Sequence, residues 1–224
     1  MFQIEASRPQ DNPDAYHSVA IVGGGTAGYL AGLAIRARLP ELDVTLIESS
    51  SIPVIGVGEA TTPELVCFLH GKRFLSLDVS DFYHRVRPTW KLGVKFLWGL
   101  PGDDYFFSFP FQFGRLLESH VYRGDLNHQC LGTILMSEDR VPVFALANGA
   151  YDWHFNQVPF AYHLENRRFV RYLHEEAVRA GVKHLDCVVR DATICSDRHR
   201  LALGSWPSAA ARQLRSLIST APAG

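Results

Sequence analysis

No stretch of about 18 or more consecutive apolar residues occurs in this 224-residue chain, so nothing in it reads as a membrane-spanning helix. An excess of one charge is also missing. The 22 Lys and Arg residues are balanced by 23 Asp and Glu, leaving a formal net charge of −1. Basic residues are scattered, with no run that would track phosphates, which argues against a nucleic acid or an acidic membrane as partner. Cysteines are few: Cys67, Cys130, Cys187 and Cys195. None forms a Cys-x-x-Cys pair and no His or Cys lies at zinc-ligand spacing near another, so no metal is expected. Buried free thiols in a reducing compartment are the expectation. Residues 1–14 are polar, carry Pro9 and Pro13, and lack the apolar core of a signal peptide. These absences point to a soluble cytoplasmic protein. No internal repeat is visible.

What is present is a core-forming composition, 47% hydrophobic and 12% aromatic, enough for one sizeable core or one and a half domains. Residues 1–16 read as a loose tail. Ser18 to Val22 is a short apolar run ending in glycines, which predicts a buried parallel strand. Gly28 to Leu39 carries apolar residues at helical spacing and is closed by Pro40, and Val44 to Ile47 is a second apolar run closed by Glu48. Strand, tight turn, helix and strand make a βαβ unit. Ser49 to Pro63 is rich in Gly, Pro, Ser and Thr and reads as loop, with a short helix from Glu64 to Leu69. Lys91 to Trp98 alternates as a strand, with Leu92, Val94 and Phe96 on one side and Lys91, Gly93 and Lys95 on the other. Aromatic residues crowd between Trp90 and Phe113, which more often means core than a flat substrate pocket. Gly99 to Gly149 reads as inserted loops and short strands. Glu165 to Ala180 is an amphipathic helix with Phe169, Val170, Leu173, Ala177 and Val178 as its apolar stripe, capped by Gly181. A further strand runs from Val182 toward Val188 and Val189.

The first strand runs into Gly23-Gly24-Gly25-Thr26-Ala27-Gly28. Gly23 allows the tight turn out of the strand. Gly25, lacking a Cβ, lets the backbone approach a pyrophosphate, and Gly28 lets helix and strand pack closely. The helix start that follows presents free N–H groups and a positive dipole end to the phosphates. Glu48 follows Gly28 by 20 residues, at the end of the second strand. A carboxylate there accepts from ribose hydroxyls and would repel a 2′-phosphate, which disfavours NADP. The unrelated reading is a glycine-rich turn with no ligand.

A rarer segment follows: Gly56-Val57-Gly58-Glu59-Ala60-Thr61-Thr62-Pro63. Placed soon after the ribose acid, it resembles the corresponding loop of the flavin-dependent halogenases, the tryptophan halogenase family. Ile52-Pro53-x-Ile55-Gly56 is similar to that family's approach to the loop. Trp90-Lys91-Leu92-Gly93-Val94-Lys95-Phe96 resembles the strand bearing its essential lysine, and Tyr162-His163-Leu164-Glu165 resembles a later segment. The resemblance runs from about Ser18 to Val189.

The resemblance implies an α/β fold of the Rossmann-like FAD/NAD(P)-binding type, with a parallel sheet and inserted loops, incomplete at its C-terminal end. It implies FAD as cofactor, reduced by a separate flavin reductase that visits transiently. It implies oxygen and a halide, chloride or bromide, as co-substrates, and a small indole-like or phenolic aromatic compound as the molecule halogenated through hypohalous acid. Gly23, Gly25, Thr26, Ala27, Gly28 and Glu48 would hold the adenosine half of FAD, and Gly58, Glu59 and Ala60 would lie along the isoalloxazine and halide side. Lys91 matches the catalytic lysine, which orients the oxidant by hydrogen bonding or captures it as a haloamine. By position alone Lys91 would be a solvated strand lysine, and Lys95 is its rival. Glu59 reads as a structural and flavin-contacting residue rather than a general base. His154 and His163 read as core or surface histidines, and Arg167 and Arg168 as a solvated helix face.

The chain also departs from the family, whose members are more than twice as long. The tryptophan-rich Trp-x-Trp-x-Ile-Pro signature is absent, as is the region that holds the lysine's glutamate partner. Residues 17–190 are therefore expected to be a partial FAD-binding domain and residues 191–224 an aberrant, poorly ordered tail. From Arg198 to Gly224 no Asp or Glu occurs. Read one base earlier, the possible codons of Thr220, Ala221, Pro222 and Ala223 allow Asp, Cys, Thr/Ser/Ala and Gly, close to a family flavin motif. The expectation is a chain that leaves its frame between about Asp191 and Trp206; the nucleotide sequence checks it. Two other readings stay open: a flavin-dependent aromatic monooxygenase, and a non-catalytic remnant that binds flavin weakly or not at all.

Overall fold

The computed structural model describes residues 16–52, 58–98, 105–112, 126–148, 151–153, 158–189, 191–195 and 200–204. The chain divides into two compact units: Met1–Val54 with Leu173–Gly224, and Ile55–Tyr172.

The first unit is built on a parallel sheet. Strand β1 (Ser18–Val22) leads through helix α1 (Thr26–Arg38) to β2 (Asp43–Glu48), as the sequence periodicity predicts. β2 pairs in parallel with β1 on one side and with β10 (Lys183–Asp186) on the other, in the order β1-β2-β10. A central strand has no solvent-facing edge, and Val44, Thr45, Leu46 and Ile47 are all buried. Arg36 fastens the end of α1: its guanidinium donates to the carbonyls of Pro40, Leu42 and Ala180. Gly181 has φ +83°, the left-handed conformation that ends a helix, and the chain then turns into β10. The segment expected as an aberrant tail contains an antiparallel hairpin, β11 (Asp191–Cys195) with β12 (Arg200–Gly204).

The second unit centres on a three-stranded antiparallel sheet. Its middle strand β9 (Ala161–Leu164) lies between β3 (Glu59–Ala60) and β4 (Thr89–Lys91). Two hairpins accompany it, β5 (Gly93–Leu97) with β6 (Phe106–Pro110) and β7 (Val143–Ala145) with β8 (Tyr151–Trp153). Helix α2 (Pro63–His70) starts with Pro at its first position, where no N–H partner is needed. Helix α3 (Val79–Val86) is capped by the Asp78 carboxylate, which accepts from the Asp81 N–H at 2.7 Å. Helix α4 (Leu131–Ser137) lies in the region expected to be loop and short strand.

Phe82 occupies the core of this unit, with ring centroids 5.1 Å from both His70 and Tyr162 and 5.3 Å from Tyr172. It is fully buried, as are Leu69, Val86, Tyr162 and Phe169. A second cluster joins Leu92, Leu135 and Val158.

Helix α5 (Asn166–Arg179) has the expected amphipathic form. Its buried stripe is Phe169, Val170, Tyr172, Leu173 and Ala177. Val178, expected in the stripe, is 52% exposed; Tyr172 takes the inward position. The strand expected from Lys91 to Trp98 is two strands in two sheets. Leu92 between them is buried, and a Cβ at Gly93 would overlap the Phe109 carbonyl, so the glycine admits the tight start of the β5–β6 hairpin. The crowded aromatics are not all core: Trp98, Tyr105 and Phe109 are exposed. Cys187 is buried but Cys67 is exposed, contrary to the expectation of buried thiols.

Candidate functional site

The glycine turn follows β1 directly. Gly23 has φ +117°, a conformation that L side chains rarely adopt, and its N–H donates to the Ile47 carbonyl at 2.8 Å. A Cβ at Gly28 would overlap the Gly23 carbonyl, so Gly28 is required by the turn itself. Gly25 caps α1 from the N-terminal side, without a side-chain cap, and nothing lies within 4 Å of where its Cβ would stand. Thr26 and Ala27 form the first turn of the helix. The entrance of the helix at Gly25 therefore has room beside it, and a helix N-terminus with such room is suited to an anion.

Glu48 ends β2 beside this turn. Its Oε1 accepts from the Tyr29 hydroxyl and lies 2.7 Å from His184 Nε2. The Tyr29 hydroxyl also lies 2.8 Å from His174 Nδ1. Burial, followed by the hydrogen bond and charge of Glu48, pushes the Tyr29 phenol well above its ordinary range, so it stays a donor. Glu48 Oε2 has no hydrogen bond among the described residues and stands where a Cβ of Gly24 would be. Sequence reasoning passed over Gly24, Tyr29, His174 and His184. His184 lies 136 residues from Glu48, and only the pairing of β10 with β2 brings them together. These residues fit a dinucleotide: a side-chain-free turn, a helix N-terminus behind it, and a carboxylate with one oxygen unengaged among the described residues.

The other expected residues lie in the second unit. Gly56 and Val57 fall outside the described residues, as does His154. Gly58 is exposed, and a Cβ there would sit 3.3 Å from the Leu164 carbonyl. Glu59 and Ala60 form β3, opposite Leu164 and His163 of β9. Thr61 follows, buried, and locks the loop to β9. Its Oγ1 donates to the Tyr162 carbonyl at 3.1 Å and accepts the Tyr162 N–H at 2.9 Å.

Lys91 ends β4, on the opposite side of β9 from β3, paired with Ala161. Its Nζ donates to the Thr61 carbonyl at 3.1 Å and lies 5.2 Å from the centroid of the Phe111 ring. The Gly-Glu-Ala-Thr loop and Lys91 are thus joined across one sheet. Lys95 belongs to the other sheet, so it does not share a strand face with Lys91. Its Nζ lies 3.8 Å from the exposed Asp139 carboxylate and 4.3 Å from the Phe106 ring. Beneath the sheet, His70 Nδ1 meets the Leu77 carbonyl at 2.9 Å, and the Tyr162 hydroxyl meets Nε2 at 3.2 Å. A carbonyl only accepts, so Nδ1 carries the proton and Nε2 accepts from Tyr162. Burial lowers the His70 pKa, and burial raises that of Tyr162 to about 12. His163 is exposed. Arg167 and Arg168 are also exposed, and their backbone N–H groups donate to the Glu165 carboxylate at the start of α5.

Among the described residues, no helix is long and apolar enough to cross a membrane. The sequence profile of the tryptophan halogenases matches residues 18–202. The 7-chloro-L-tryptophan 6-halogenase KtzR of Kutzneria sp. (strain 744) is 31% identical over 194 residues, covering 75% of this chain and 37% of KtzR. The crystal structure of MibH, a lanthipeptide tryptophan 5-halogenase, superposes with a TM-score of 0.74 at 43% identity, over 88% of this chain and 38% of MibH. Xcc4156, a flavin-dependent halogenase from Xanthomonas campestris, gives 0.64 at 28% identity, over 84% of this chain and 38% of its own. The chain therefore spans under two fifths of the length of these relatives.

Proposed function

The chain belongs to the tryptophan halogenase family, which is flavin-dependent, and from that premise we propose that it carries the flavin-binding and lysine-bearing part of an enzyme that halogenates an indole. FAD, when bound and reduced by a separate flavin reductase, supplies with oxygen the oxidant that converts chloride or bromide into hypohalous acid. The backbone amides from Gly23 to Gly28, with Gly25, Thr26 and Ala27 at the helix entrance, would hold the pyrophosphate, and Glu48 would hold the adenosine ribose. In the family resemblance, Gly58, Glu59 and Ala60 are the residues that would contact the isoalloxazine and halide.

The observation that carries the proposal is the tie between Lys91 Nζ and the Thr61 carbonyl at 3.1 Å, which holds the ammonium against the Gly-Glu-Ala-Thr loop. From there the ammonium donates a hydrogen bond to hypohalous acid and makes its halogen more electrophilic. The indole carbon's electron pair forms the carbon–halogen bond, the halogen–oxygen bond breaks, and water leaves with the ring proton. The half-buried Phe111 ring gives a flat apolar wall beside the ammonium for the substrate.

The 43% identity with MibH favours a tryptophan held within a peptide as substrate over the free amino acid. The test supplies reductase, FAD, oxygen and a tryptophan peptide, with and without chloride or bromide. A product with the mass and isotope pattern of one halogen, formed only with halide, is expected. A hydroxylated product independent of halide would instead mark an aromatic monooxygenase.

A further inference from the structure

The hydrogen bonds around Glu48 run in one direction. A tyrosine hydroxyl has one proton, and Tyr29 donates it to Glu48 Oε1. The hydroxyl oxygen must then accept from His174 Nδ1–H, 2.8 Å away. The His184 Nε2, 2.7 Å from the same Oε1, is the second donor, since a carboxylate oxygen accepts. Two side chains, from α1 and β10, thus converge on one oxygen of one carboxylate, and His174 of α5 holds the first of them, Tyr29, in place. The other oxygen, Oε2, has no hydrogen bond among the described residues and projects over Gly24, at the turn.

A metal ion explains this cluster less well than hydrogen bonding does. Glu48, His174 and His184 do bring possible ligand atoms within 4.8 Å of one another. Two ligands of a tetrahedral ion with bonds of roughly 2.0–2.1 Å would stand about 3.3 Å apart. His184 Nε2 and Glu48 Oε1 are closer than that, at hydrogen-bond distance.

We propose that Tyr29, His174 and His184 are positioning residues that lock Glu48 through Oε1, so that Oε2 alone is presented to the adenosine ribose at the glycine turn. The inference rests on the FAD reading above and adds the residues that set its affinity. A free carboxylate rotates and must be ordered when ribose binds; a carboxylate held by Tyr29 and His184, with Tyr29 itself fixed by His174, has lost that freedom already. Tyr29, 2% exposed, is the buried anchor, and His184, whose side chain is 28% exposed, is the outer one.

Calorimetric titration with FAD tests this on the wild-type chain and on Glu48→Gln, Tyr29→Phe, His184→Ala and His184→Gln, with each ligand-free melting temperature recorded. Tyr29→Phe and His184→Ala are expected to weaken FAD binding roughly tenfold. His184→Gln, whose amide N–H reaches the same oxygen, is expected to restore most of the affinity. Competition by ADP and 2′,3′-dideoxy-ADP supplies a readout that a purely structural role would not move. The wild type should prefer ADP, and Tyr29→Phe and His184→Ala should lose that preference. Wild-type affinity and preference in Tyr29→Phe and His184→Ala, with loss in Glu48→Gln, would overturn the lock while leaving the ribose acid in place. Equal loss in His184→Ala and His184→Gln would overturn the donor role of His184. No FAD binding by the wild type, or full binding by Glu48→Gln, would overturn the underlying FAD reading and the lock with it.

Discussion

The Lys91 ammonium donates to the Thr61 carbonyl at 3.1 Å, so a side chain at the end of one strand is tied to the loop beyond another, with β9 between them. Lysine is suited to this geometry because its ammonium has three donors. One holds the Thr61 carbonyl and two remain for other acceptors. Replacing Lys91 by Ala is expected to lower the halogenation rate by on the order of 100-fold or more while leaving FAD affinity at the wild-type value. Steady-state product formation and flavin titration on the same preparation separate the two effects. An unchanged rate would remove Lys91 from the chemistry.

The glycine turn gives a second expectation. A Cβ at Gly24 would coincide with the Glu48 carboxylate, so Gly24→Ala must push that side chain out of its hydrogen bonds with Tyr29 and His184. A loss of about 1–3 kcal/mol of stability is expected, together with weakened FAD binding. Urea unfolding and flavin titration measure both, and a variant with wild-type values in each would contradict the placement of Glu48.

His70 makes stability depend on pH. Burial lowers its folded-state pKa below the ordinary value of 6.5, so the folded chain resists protonation more than the unfolded chain does. The contribution is present above about pH 6.5 and is lost as pH falls through the lower folded-state value. The melting temperature of the wild type should exceed that of His70→Gln at about pH 7.5, and the gap should shrink toward about pH 5.5. A gap that widens on acidification would show that His70 is charged in the folded state.

Phe82 touches His70, Tyr162, Phe169 and Tyr172 and is fully buried. Phe82→Ala would leave a cavity beneath the sheet that carries Lys91. A cost of about 3–5 kcal/mol is expected, read by urea denaturation. A cost within experimental error of zero would mean that the aromatic cluster is not the core of the second unit.

The βαβ unit was legible because local signals agreed there: an apolar run, a glycine turn, helical periodicity and an acid at the right distance. The residues around Glu48 were not legible, because Tyr29, His174 and His184 become neighbours only through sheet pairing and helix packing, which one sequence does not encode at fixed spacing. The break at Leu92 was hidden for a related reason. Alternation continued through it, but Gly93 admits the Phe109 carbonyl and starts a different sheet. Helix α4 was missed because seven residues, Leu131–Ser137, are too few to set a period against the surrounding turn-forming residues. The setting of Lys91 was not legible either: its tie to Thr61 depends on β9, seventy residues further on.

A crystal structure of the chain grown with saturating FAD tests the account most directly. The expected result is a pyrophosphate on the backbone amides between Gly23 and Gly28, with a ribose hydroxyl hydrogen-bonded to Glu48 Oε2. FAD seated away from that turn, or a turn without ligand at saturating FAD, would contradict it.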